Sequence, residues 1–158
     1  MCLYFHTFGV YFNDMQFFTP DVVFIGTCAG FIFGGLWFSP VLFMNAWLKG
    51  QGLTKHDMPK RSMTYMVQIN VYSFTAHGAI ASVIALLFDL LDISSLKVAS
   101  ALGALLAIGF VVTTRYIDML YTTDGVHFGM KSQVKFLVNA GYYICVMTVM
   151  SVVMFLVK

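Results

Sequence analysis

The stretch DVVFIGTCAGFIFGGLWFSPVLFMNAWLKGQGLT, residues 21–54, decides how the rest of the chain is read. Its first half is an apolar run with no charge after Asp21. Crossing hydrocarbon takes about 20 such residues in a helix. Thr19-Pro20-Asp21 suits the start of that helix, with Thr19 as N-cap, proline in the first turn and an acid at the positive end of the dipole. The run from Asp21 to Phe38 is therefore expected to be a membrane span. It stops at Ser39-Pro40, because proline disfavours the helical conformation at the residue before it. The segment beyond the proline is not a charged loop. Val41, Leu42, Met44, Asn45, Trp47, Leu48 and Lys49 read as a short amphipathic helix in the membrane interface, with Ser39 capping the segment that begins at Pro40. Gly50 and Gly52 end it. Trp37 and Trp47 suit headgroup depth, where an indole keeps its ring in apolar surroundings and its N–H within reach of water or lipid carbonyls.

The composition agrees with a chain built for lipid. Of 158 residues, 59% are hydrophobic and 10% charged, against about 25% charged in soluble domains. The acids are all aspartates, and the formal charge of +2 is too small and dispersed for a nucleic-acid surface. Cys2, Cys28 and Cys145 fit no metal spacing, and the last two read as small apolar packing residues. Residues 1–20 are rich in aromatics (Tyr4, Phe5, Phe8, Tyr11, Phe12, Phe17, Phe18) but lack the Lys or Arg of a signal peptide. They are expected to form an interfacial extension ahead of a membrane domain covering 21–158.

Three further spans are read at about 64–91, 95–121 and 134–157, joined by connections at 39–63, 92–94 and 122–133. The expected fold is all-α: an integral membrane four-helix bundle of two helical hairpins, with the interfacial helix after the first span. Lys49, Lys55, Lys60, Arg61, Lys131 and Lys135 fall on one side and Lys97 and Lys158 on the other. The positive-inside rule then puts both termini on the non-cytoplasmic side of a bacterial-type inner or organellar membrane. Gly26, Gly30 and Gly34 form two successive G-x-x-x-G steps, echoed by Ala99, Gly103 and Ala107. Lipid offers no hydrophobic drive between helices, so small residues supply association by letting backbones approach. These stripes are expected to face helices of this chain, of a second copy or of other membrane subunits.

Polar residues inside spans cost free energy and so point to function. Asn70, Ser73 and His77 share one face of the second span, Arg115 and Asp118 pair at i, i+3 in the third, and Asn139 lies in the fourth. All but His77 sit in the half nearest the basic loops, where they could converge on one pocket. Each also has a structural reading: an interhelical hydrogen bond for His77 and Asn139, an ion pair for Arg115 and Asp118. His127, beside the turn signal Asp124-Gly125, reads as loop. No nucleophile–base pair, HExxH, CxxC or phosphate loop is present.

Trp37-Phe38-Ser39-Pro40, Leu42-Phe43, Trp47 and Gly52-Leu53-Thr54 together resemble the domain-of-unknown-function 1761 family. There the first helix ends in a W-[YF]-S-P step followed by L-F, a tryptophan a turn later and a G-L-T segment. Phe136-Leu137-Val138-Asn139-Ala140-Gly141-Tyr142 is similar to the family's L-x-N-A-G-Y run, and the likeness covers about residues 22–157. It implies a small membrane protein of about four helices and a shared job for Trp37, Ser39, Pro40, Phe43, Trp47 and Asn139, but no activity.

Three functions are compatible with these residues. The one the sequence favours is an accessory or assembly subunit of a larger membrane complex, without catalytic chemistry. The second is a small homo-oligomeric transporter or channel using the polar cluster. The third is a lipid- or pigment-binding protein, with bound lipid the expected ligand and His77 the residue that would ligate a pigment.

Overall fold

The computed structural model describes residues 15–57, 61–121 and 130–158, and all regular structure among them is helical. Helix α1 spans Pro20–Trp37 with Thr19 as its extended N-cap and proline in the first turn. A short helix α2 covers Met44–Gly50, and one 3-10 turn comes next at Lys55–Asp57. Helix α3 runs Met63–Leu90, capped by the Ser62 hydroxyl, which accepts from the Tyr65 N–H at 3.2 Å. Helix α4, Leu96–Leu106, passes through a π-helical segment, Ala107–Val112, into α5, Thr113–Tyr121. Helix α6 is Met130–Val157. Four segments are long and apolar enough to cross a membrane: α1, α3, the continuous α4–π–α5 rod, and α6. Residues 1–14, with Cys2, lie outside the described residues, as do Lys60, Asp124 and His127.

Helix α6 is the hub. It packs along α1, α2, α4 and the π segment, whereas α3 leans on α1 and touches α6 only briefly. Helices α3 and α4 are joined by the shortest connection, yet they diverge without an extended contact. The core gathers Phe17, Val22, Ala81, Ile84, Phe88, Val146, Met150 and Met154 toward the end where α3 and α6 finish. At the opposite end the bundle splays, and every residue of α3 from Met63 to Tyr72 is exposed.

Small residues set this arrangement. A Cβ added at Gly26 would meet Met154, one at Gly30 would meet Met150 and His77, and one at Gly34 would meet the Tyr142 hydroxyl. Likewise Gly103 in α4 admits the Ser151 hydroxyl and the Met147 carbonyl of α6. The glycine stripe of α1 is thus filled by this chain's own α6 and α3, one of the neighbours the sequence left open.

Two local expectations change. Ser39 does not cap a helix at Pro40: residues 40–43 form turns, α2 starts at Met44, and the Ser39 hydroxyl is buried with no partner among the described residues. It is the Ser39 carbonyl that reverses the chain, accepting the N–H groups of Leu42 and Met44 at 3.2 Å each. The π segment is a departure too, since AIGFVV reads as ordinary apolar helix. It lies where Thr113 donates its hydroxyl to the Gly109 carbonyl at 2.6 Å and Thr114 bonds that of Phe110. Such back-bonding loosens the regular ladder.

Before α1, residues 15–19 are anchored to the bundle. The Asp89 carboxylate accepts the backbone N–H groups of Gln16 (2.9 Å), Phe17 (3.1 Å) and Phe18 (2.7 Å). The Phe17 ring is 3% exposed, set edge-on to Phe88 at 5.0 Å and stacked on Phe155 at 5.9 Å. The Lys158 ammonium lies 4.4 Å from the centre of that ring.

Candidate functional site, a lateral cleft floored by His77 and Tyr142

His77 is buried in the middle of α3, and both its ring nitrogens are engaged. Nδ1 lies 2.7 Å from the Ser73 carbonyl one turn back. A carbonyl only accepts, so Nδ1 carries the proton, and the neutral ring presents Nε2 as acceptor. The Tyr142 hydroxyl of α6 donates to Nε2 at 2.8 Å. This bond joins two helices that otherwise barely meet. The close approach of α1 makes it possible: Gly30 leaves room beside the imidazole and Gly34 beside the phenol hydroxyl. Both ring nitrogens of His77 are thus engaged in hydrogen bonds within the chain.

The two motifs that carry the family resemblance meet at this point. Trp37 lies against Gly141 and has its ring 6.3 Å from that of Tyr142. Phe38 approaches Tyr142 at 5.0 Å, Phe43 stacks on Trp37 at 4.3 Å, and Trp47 meets Phe38 edge-on at 5.9 Å. The Trp37 indole N–H is buried without a partner among the described residues. The tryptophans therefore build a wall beside Tyr142, and Gly50, packed on the Lys135 backbone, holds α2 against α6.

Between α1, α3 and α6 lies a cleft of about 690 Å³. Phe31, Gly35 and Phe38 come from α1 and the turn after it, Ile69, Asn70, Ser73 and Ala76 from α3, and Tyr143 and Val146 from α6, while His77 and Tyr142 form its floor. Asn70 donates one amide N–H to the Met66 carbonyl at 2.9 Å, which leaves its amide oxygen unused by that bond. Ile80 is shared with a second, wholly apolar groove of about 480 Å³ between α3 and the α4–π rod, lined also by Val83, Leu87, Leu106 and Phe110. Divergence of α3 from α4 creates this groove. Sites for small molecules have volumes in this range and combine an apolar lining with a few polar groups.

The expected polar cluster therefore divides. Asn70, Ser73 and His77 share the cleft, as their spacing implies, and Tyr142 joins them from α6. Arg115 and Asp118 pair with each other at 3.7 Å on an exposed face of α5, at 55% and 59% side-chain exposure, and do not line it. Asn139 is half-buried on α6 and also does not line it. No group of three or more metal-ligating His, Cys or Asp side chains occurs among the described residues. Tyr142 is the site residue that sequence reasoning missed as a partner of His77. Its signal was depth: both residues lie nearly the same number of positions from the far ends of their helices.

A family model described as "Protein of unknown function (DUF1761)" matches residues 22–155. No curated protein and no solved structure matches the chain.

Proposed function

The chain belongs to the family of proteins of unknown function called DUF1761, and from that premise we propose that it is a membrane protein that receives a lipid-like ligand laterally from the bilayer. The observation that carries this reading is the cleft, with a hydrogen-bonded His77–Tyr142 pair at its floor and an apolar groove beside it on α3, the two sharing Ile80. A ligand's polar end would rest at the pair and its chain along the groove. In this reading the two hairpins, α1 with α3 and the α4–π–α5 rod with α6, are the walls, α2 lies in the interface, and both chain termini lie on the non-cytoplasmic side. Ala76 is exposed in the cleft wall, so Ala76→Trp fills the cleft without entering the core. The variant should lose lipid that the unmodified protein retains through delipidating detergent washes, as read by native mass spectrometry. Equal retained lipid in both proteins would sink the proposal.

A second reading, the accessory subunit, rests on α3. Gln68 lies in a helical stretch, Met63–Tyr72, that is exposed on all sides. Polar side chains facing hydrocarbon are costly, and a neighbouring membrane subunit would relieve that cost. Purification of the native protein in mild detergent tests it: a stable heteromeric assembly supports it, and a protein that runs alone removes it. Arg115 and Asp118, two members of the polar cluster on which a transport reading would draw, stand apart from the His77 site.

A further inference from the structure

We infer that the cleft's ligand is an uncharged lipid with a hydroxyl head, such as a diacylglycerol, rather than an anionic phospholipid; the inference rests on the lipid-cleft reading above. Charge supplies the first argument. Among the described residues no Lys, Arg or Asp lines the cleft or the groove beside it, and the Arg115 guanidinium is already turned to Asp118 on another face. A phosphate placed here would be an unpaired anion in a low-dielectric site, which is strongly unfavourable. An uncharged head carries no such cost.

The hydrogen-bond inventory supplies the second argument. The Tyr142 proton is committed to His77 Nε2, so the phenol oxygen is left only as an acceptor toward the cleft. The Asn70 amide oxygen is an acceptor as well, and the Ser73 hydroxyl adapts as donor or acceptor. A head that donates is matched to this set, and a hydroxyl donates. The committed tautomer matters here: were Nδ1 not held by the Ser73 carbonyl, His77 could offer Nε2–H and the Tyr142 proton would be free for an acceptor head.

Trp37, beside Tyr142, reports occupancy. In a Trp47→Phe background it is the only tryptophan, and lipids with brominated chains quench a nearby indole. The detergent-solubilised full chain is titrated with three lipids of identical brominated chains: diacylglycerol, the same lipid with its hydroxyl acetylated, and phosphatidylglycerol. Saturable quenching should be strongest for diacylglycerol and about five-fold weaker for the acetylated lipid, the value of one net hydrogen bond. Ser73→Ala, which leaves the Ser73 carbonyl on His77, should narrow that gap, whereas Tyr142→Phe bares His77 Nε2 as an acceptor in place of the phenol oxygen and should keep it. Phosphatidylglycerol binding as tightly as diacylglycerol, or no difference on acetylation, overturns the inference while leaving a lipid cleft. Absence of saturable quenching by all three lipids overturns the cleft reading itself. Tyr142→Phe is checked for folding by thermal unfolding, and Ser73→Ala decides the matter if that variant is unstable.

Discussion

At Gly30 one methyl group is enough to disturb the site. A Cβ there would lie 2.6 Å from the Met150 sulfur and 2.7 Å from His77 Cδ2, whereas one at Gly35 meets nothing within 4 Å. Overpacking of a well-filled interior costs about 1–3 kcal/mol. Gly30→Ala is therefore expected to lower the unfolding temperature in detergent clearly, and Gly35→Ala to change stability by no more than about 0.5 kcal/mol, as at other open surface sites. A second residue-scale prediction concerns Phe17. Its buried ring should make Phe17→Ala cost about 3–5 kcal/mol, in the range for buried aromatics. Asp89→Ala should instead speed hydrogen exchange at the Gln16, Phe17 and Phe18 amides, leaving the spans protected. At this scale His77 was legible, since a histidine in mid-span must find a partner. Phe17 was not: an aromatic among many aromatics gives no sign of which ring is buried.

Among the elements, the clearest prediction is at the turn before α3. The Thr54 hydroxyl and N–H donate to Asp57 at 2.6 and 2.7 Å and hold its carboxyl below the usual aspartate range. A carboxyl whose folded value lies below its unfolded one contributes stability above the unfolded value and loses it as pH falls through the folded value. Protection of the Thr54 amide should therefore fade on acidification and stay flat toward alkaline pH. An Asp57→Asn variant that kept the acid-dependent loss would overturn the assignment. Element type was easily read here, because apolar length and the Ser-Pro step leave little choice for spans in lipid. The start of α2 was misplaced because a proline signal marks where a helix breaks but not how many turn residues come after it. The π segment left no composition signal, since its hydrogen bonds depend on how two successive threonines bond back to the preceding turn.

For the molecule as a whole, sidedness is the testable expectation. Single cysteines replacing Lys55 and Lys158, in a background free of the native cysteines, should react with an impermeant thiol reagent from opposite sides of intact cells or vesicles. Labelling of both from the same side would discard the assigned topology. The sequence made the four spans legible, but not which helix packs on which, because that choice lies in the fit of particular surfaces. Glycines announce that a close approach occurs without naming the neighbour, and the cleft itself arises from the divergence of α3 and α4, a shape no single residue encodes. The partners of the glycine stripe have a consequence in biosynthesis. Met150, Met154 and Tyr142, which fill the stripe on α1, all belong to α6, the last of the four spans to leave the ribosome. Until then α1 and α3 must wait in lipid with His77 Nε2 unpaired and the glycines only partly covered. A nascent chain stalled before α6 would thus display an open, polar, glycine-lined face, the kind of surface by which a membrane quality-control protease distinguishes an unfinished helix bundle from a completed one.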